Sequence, residues 1–283
     1  MEAASQVIAN PRLRQRPERP PSNRWRRVAL RRPLLAAAAL ACALAPGAAW
    51  SRDLQAAIAE GDQHYAAARL ADAVHAYTEA LQAAPADVAA LCRLARAESE
   101  LGQTQKGDEQ RRTWASAVAH ARDAVRNAPE AGEPHMRLAV ALGRQALREG
   151  PRTKLALARE IKSEVDRALA LDAKLGLAWH VLAVWNVEVA SLNAFERLGA
   201  RTMGGVPKGA SYENADNAFQ KAITLEPAYV NHRLEYGRFL NNRRKFDDAR
   251  RELAKAIALP ATSSALDVRY QADARELLEK LHR

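Results

Sequence analysis

Patterns that carry chemistry are scarce in this chain. Its 283 residues include 2 cysteines and 7 histidines, none paired at zinc-ligand spacing, and HExxH is absent. No serine sits in a GxSxG elbow, and no glycine-rich phosphate loop follows a strand, because no stretch reads as a convincing strand. The expectation is therefore no catalytic residues, no metal and no cofactor. Aromatic residues make up only 5%. The longest apolar run, Leu34 to Leu44, is too short for a membrane-spanning helix of about 20 residues.

What is abundant is alanine, the best helix former and a residue that lets neighbouring backbones approach. With 48% hydrophobic residues a packed helical core is expected. The net charge of +10 is unevenly placed: residues 1–33 hold nine arginines against Glu2 and Glu18, and the rest is close to balanced. Basicity belongs to the leader, so the body gives no reason to expect a nucleic-acid partner.

Residues 1–49 read as a long basic leader with a signal peptide: Arg31-Arg32, the apolar run, then Ala45-Pro46-Gly47-Ala48-Ala49 with a cut expected after Ala49. Export to the periplasm or beyond follows, with no transmembrane helix left after cleavage. A twin-arginine signal at Arg31-Arg32 and lipoprotein anchoring at Cys42 are weaker readings. The mature chain would keep only Cys92, which rules out an intramolecular disulfide and suits a small core residue better than a nucleophile.

From residue 50 to 283 the chain repeats. Counting from Gly61, small residues recur at Ala73 and Ala80, with Tyr77 between them and Pro85 closing the unit. That spacing fits a helix pair crossing at small side chains, the 34-residue tetratricopeptide unit. Units are expected at about 54–87, 88–131, 132–175, 176–229 and 230–262. Second helices arrive late in the second and third units, near 108–127 and 153–171. The fourth carries an inserted helix at 192–203, and a capping helix is expected at 264–282. The fold class expected is all-α: a right-handed α-solenoid of about five tetratricopeptide-like helix pairs with a C-terminal cap.

Within the run from Trp185 to Leu240 stand Glu188-Val189-Ala190, Phe195-Glu196-Arg197, a turn at Gly205 and Pro207, and a helix start at Tyr212-Glu213. In these features the run resembles the regulator of microtubule dynamics family. It departs at Asn193-Ala194, where the family commonly has Ser-Trp. The resemblance implies a tetratricopeptide-like helical domain and, by the family's name, tubulin binding. An exported chain with this leader looks bacterial, so the fold is carried over and the named function is not.

In such a solenoid the first helix of each unit lines the concave face. The candidate groove residues are Arg96, Met136, Val140, Arg144, Leu177, His180, Val184, Val187, Arg238 and Asn241. Met136, Val140, Leu177, Val184 and Val187 form an apolar floor, and Arg96, Arg144, Arg238 and Asn241 a polar mouth for an unidentified protein or peptide. The Lys and Asn set that clamps a terminal carboxylate is missing. Leu192, Phe195, Leu198 and Met203 are expected to fold back over the floor, and Glu188 or Glu196 to pair with Arg197, Arg201 or Arg144. Two functions follow: a non-enzymatic, exported protein-interaction scaffold, or a carrier or tether holding a lipid or other apolar molecule in the groove.

Overall fold

The structure is a computed structural model that describes residues 46–262 and 264–281. The arginine-rich leader, the apolar run 34–44 and Cys42 lie outside the described residues. Among the described residues every regular element is a helix. Five antiparallel pairs follow one another: α1 (Pro46–Ala66) with α2 (Leu70–Ala83), α3 (Val88–Thr104) with α4 (Gly107–Asn127), α5 (Gly132–Ala146) with α6 (Pro151–Leu171), α7 (Gly176–Ser191) with α9 (Tyr212–Leu225), and α10 (Val230–Asn242) with α11 (Phe246–Ala258). The inserted α8 (Ala194–Arg201) joins α7 to α9, and α12 (Asp267–Leu281) packs on α10 and α11. No helix among the described residues is long and apolar enough to cross a membrane.

The pairs form because small side chains stand where helices cross. Ala73, Ala80, Ala117, Ala121, Ala124, Ala168, Ala215, Ala222, Ala249 and Ala256 are all fully buried. Tyr77 fills the space beside Gly61, where a Cβ would fall 2.4 Å from the ring, and its hydroxyl donates to Asp62 at 2.7 Å. Leucine at such a crossing has nowhere to go. Ala80→Leu and Ala222→Leu are each expected to cost about 1–3 kcal/mol by overpacking, read as a lower urea midpoint; unchanged midpoints would place the crossings elsewhere.

Local chemistry sets the helix ends. Asp87 caps α3 by accepting from Ala90 N–H at 2.7 Å, and Ser211 caps α9 by accepting from Asn214 N–H at 3.0 Å, each satisfying a donor that the first turn leaves open. Pro151 opens α6, where its missing N–H costs nothing. Cys92 is buried and its thiol is pushed up to about 12, chiefly by burial.

Of the core regions among the described residues, three bear on the site. One runs from Ala95 through Met136, Leu142 and Val165 to Trp185, and a second gathers Ala183, Phe219, Phe239 and Ala249. The third joins residues far apart in sequence: Leu70 of α2 shares it with Val230, Leu234, Leu253, Leu266 and Tyr270, and Tyr65 and Leu101 pack against it. The two ends of the repeat array therefore touch.

Candidate functional site

The first helix of each pair supplies the candidate face, and the structure distributes its residues unevenly. Met136 and Leu177 belong to the first core, whereas Val184 and Val187 pack against the second. Val140 is half-buried. The expected floor is thus shared between two packing layers.

The expected cover is a correction. Phe195 is 84% exposed and Leu198 58% exposed, so the insert's apolar stripe faces outward and does not fold over units three and four. The acid-base pairing expected there is also replaced. Glu196 accepts from Asn193 N–H at 2.8 Å while Asn193 accepts from Glu196 N–H at 2.9 Å, a capping box. Arg197 instead donates to the carbonyls of Leu192, Val189 and Ala190, closing the end of α7. Glu188 is exposed. Arg159 ties down the following turn through Met203 and Gly205 carbonyls at 2.8 and 2.6 Å. An exposed ring contributes little to folding, so Phe195→Ala is expected to shift stability by less than about 0.5 kcal/mol, measured by thermal melting; a loss of several kcal/mol would place Phe195 in a core.

What occupies the concave side near α1 and α3 is the chain's own segment before and at the start of α12. Tyr65 donates to Glu100 at 2.6 Å, and Arg96 lies 4.0 Å over the Tyr65 ring. Onto this pair come Ser264, whose hydroxyl donates to Glu100 at 3.2 Å, and the Ala265 N–H, which donates to the Tyr65 hydroxyl at 3.4 Å. Gln103 donates to the Tyr270 hydroxyl at 3.2 Å, and Arg269 donates to the Gln103 carbonyl at 2.6 Å. Burial pushes the phenols of Tyr65, Tyr229 and Tyr270 above the ordinary tyrosine range, and Glu100 raises each further. They stay neutral and act as hydrogen-bonding hydroxyls.

Arg144 faces this region too: its charge acts on both His180 and Tyr270. Arg238 does not stand free at a mouth, because it bridges Glu235 at 2.6 Å and Asp273 of α12 at 3.0 Å. With Asn241, Glu276 and Lys280 it lines a polar cleft of about 370 Å3 between α10 and α12.

His180 is buried against His232, their Nδ1 atoms 3.1 Å apart and their rings stacked at 4.9 Å. His232 Nε2 reaches Glu226 at 3.1 Å, and the other Glu226 oxygen accepts from Leu177 N–H at 3.1 Å. A neutral His232 that donates Nε2–H to the carboxylate leaves its Nδ1 as an acceptor, so His180 donates through Nδ1–H. Burial holds both imidazoles below the ordinary histidine range, the neighbouring ring and Arg144 adding to this for His180. For Glu226 burial acts upward, but His232 and the first N–H groups of α7 outweigh it and hold the carboxyl low. The relay is closed on itself and reads as structural.

Glu100, Gln103, Leu266 and Tyr270 were not among the groove residues expected from the sequence. A capping helix shows an apolar stripe in sequence but not which distant surface its first turn will meet.

Comparison with known proteins bears on the whole array. The family described as Regulator of microtubule dynamics protein 1-3 matches residues 57–282. Regulator of microtubule dynamics protein 3 of Bos taurus is 29% identical over 66% of this chain and 40% of its own length. Regulator of microtubule dynamics protein 1 of Mus musculus is 28% identical over 68% of this chain and 63% of its own. The chain thus spans less than two thirds of these curated relatives. A thermophilic TPR protein of Thermus thermophilus superposes with a TM-score of 0.57 at 20% identity, covering 78% of this chain and 98% of that one, a likeness of fold.

Proposed function

The chain belongs to the regulator of microtubule dynamics family, and from that premise we propose that it is a non-enzymatic protein-interaction scaffold that works after export. The observation that carries this reading is the way the concave side grips polypeptide: a backbone N–H, a serine hydroxyl and a tyrosine are held by Tyr65, Glu100 and Gln103. Such recognition of a helix start by fixed side chains is what a peptide-binding groove does. The relatives' names concern microtubule dynamics; for an exported chain the shared fold is what we carry over. A lipid carrier needs an open apolar chamber, and here Leu266 and Tyr270 fill the nearest apolar space, which favours the scaffold.

The test is site-specific photo-crosslinking in the producing cell, from probes at Arg144 and Val140 on the concave side and at Arg122 on α4. A discrete protein adduct from the first two alone is expected; adducts from Arg122 alone, or extraction of bound lipid in stoichiometric amount, would overturn the reading. Mass spectrometry of the same material is expected to place the amino terminus near Trp50, whereas intact protein beginning at Met1 would remove the export.

A further inference from the structure

The closure between the two ends of the array is built unlike the rest of it. Along the rest of its length α12 is held by α10 and α11: Asp273 meets Arg238, Arg250 donates to the Leu281 carbonyl at 2.6 Å, and Leu277, Leu278 and Leu281, half-buried, pack against the same core region as Leu266 and Tyr270. Its beginning meets α1 and α3 differently. Three of the hydrogen bonds there span 3.2 to 3.4 Å, at or beyond the usual range for such pairs, and the short Arg269 bond lies at the exposed rim. Leu266 brings apolar burial from the loop, against Leu70, Leu101, Val230 and Leu234.

The receiving surface is more ordered than the contact demands. Tyr65, Arg96 and Glu100 also hold one another, through a 2.6 Å hydrogen bond and a cation stacked on a ring. The occupant is equally self-contained: Ser264 N–H donates to Asp267 at 2.9 Å and Leu266 N–H to the Ser264 hydroxyl at 3.2 Å, a capped helix start that could come from any chain of the same chemistry.

We propose that Ser264–Tyr270 is a built-in stand-in for a partner, and that the surface of Tyr65, Glu100, Gln103 and Leu101 receives the start of an amphipathic helix with a serine-like cap, a leucine two residues on and a tyrosine four further. Exchange occurs when the array opens between α3 and α12 while α12 keeps its hold on α10 and α11. The inference rests on the scaffold reading and names the class of partner for it. A tethered segment competes at an effective concentration on the order of millimolar, so the closed state masks the surface, and a free helix binds in proportion to the open fraction.

The experiment uses the full chain and a fluorescent synthetic peptide with the sequence of residues 262–276. Wild type is expected to bind it weakly. Leu266→Ser with Tyr270→Ala, which weakens the occupant and leaves the receiving residues intact, is expected to bind at least about ten-fold tighter, and adding Glu100→Gln and Gln103→Ala is expected to abolish the gain. Helical circular dichroism and a cooperative melt check that the variant is folded. Hydrogen exchange on unmodified protein supplies a second readout: amides at the end of α3 and the start of α12 are expected to exchange together, ahead of those in α10. Absence of peptide binding by the folded variant, exchange at this junction only with global unfolding, or a purely dimeric variant that swaps α12 between copies would each overturn the proposal. Adducts from Arg144 that persist in a chain failing these tests would leave the scaffold reading standing and sink only this inference.

Discussion

Glu226→Ala is expected to lower stability by about 2–5 kcal/mol. The residue before α7 is Leu175, which offers no side-chain cap, so the first donors of that helix are served from across the pair by Glu226 at the end of α9. Losing a cap costs about 1 kcal/mol, and the loss of a negative charge at a helix start adds about 0.3–1 kcal/mol. Removing the carboxylate also leaves His232, which has no exposed surface, with an orphaned N–H worth about 1–3 kcal/mol. Glu226→Gln keeps an acceptor and should cost less. Gly176→Ala should resemble the alanine variant, because a Cβ there would sit 2.6 Å from the Glu226 side chain; the two changes should then be strongly non-additive in a double-mutant cycle. Urea denaturation reads all of these, and a midpoint for Glu226→Ala within about 0.5 kcal/mol of wild type would show that α7 does not depend on this contact.

Acidification is expected to destabilise the fold steeply below about pH 6.5, the ordinary histidine value. His180 and His232 have depressed values in the folded chain, so unfolding at lower pH takes up protons at both. The stability they contribute is full above about pH 6.5 and falls as pH drops, at up to about 1.4 kcal/mol per pH unit for each. A proton on His232 would also set N–H against N–H at the 3.1 Å contact with His180. Glu226 and Arg233 face His232, and His232 and Arg144 face His180; the carboxylate alone favours the charged form. His120 works in the opposite direction: its hydrogen bond to Glu98 raises it, so its contribution is present below about pH 6.5 and is lost as pH rises through the raised value. A stability maximum near that pH is the expected result, from urea midpoints at half-unit intervals. His180→Phe should flatten the acid limb; an unaltered acid slope in that variant would refute the assignment.

The repeat was legible because its determinants are local. An alanine at a crossing, a tyrosine seven residues or fewer away and a proline at the end constrain one another within a single unit, and the alanines so identified are buried. The insert was legible as an amphipathic helix but not in its orientation. An apolar stripe such as Phe195 and Leu198 states that a helix has a side suited to contact, and the intramolecular contact that would have used it does not form. α12 was legible as a cap on the last pair, but its meeting with α1 and α3 was not. That meeting depends on how small rotations accumulate over five pairs, a property of the whole array that no stretch of sequence displays. The Glu226, His232 and His180 relay escaped for a related reason, since its members come from the end of α9, α10 and α7 and sit at no motif spacing.

The meeting of the first and last parts of the array has a consequence for how the chain comes to be made. Tyr65 and Ala265 are 200 residues apart, and a polypeptide emerging at 5–20 residues per second leaves about 10–40 s between them. Through that interval the first three helices present Tyr65, Leu70 and Leu101 with nothing from α12 against them. A ribosome or translocase thus releases an early fragment whose pairs can form while one of its surfaces stays wet and apolar, a target for any chaperone in the compartment. Folding of the first pair is in this sense completed by the last residues to arrive, and a chain cut short after α11 would carry a defect at the far end of the array as well as at the cut.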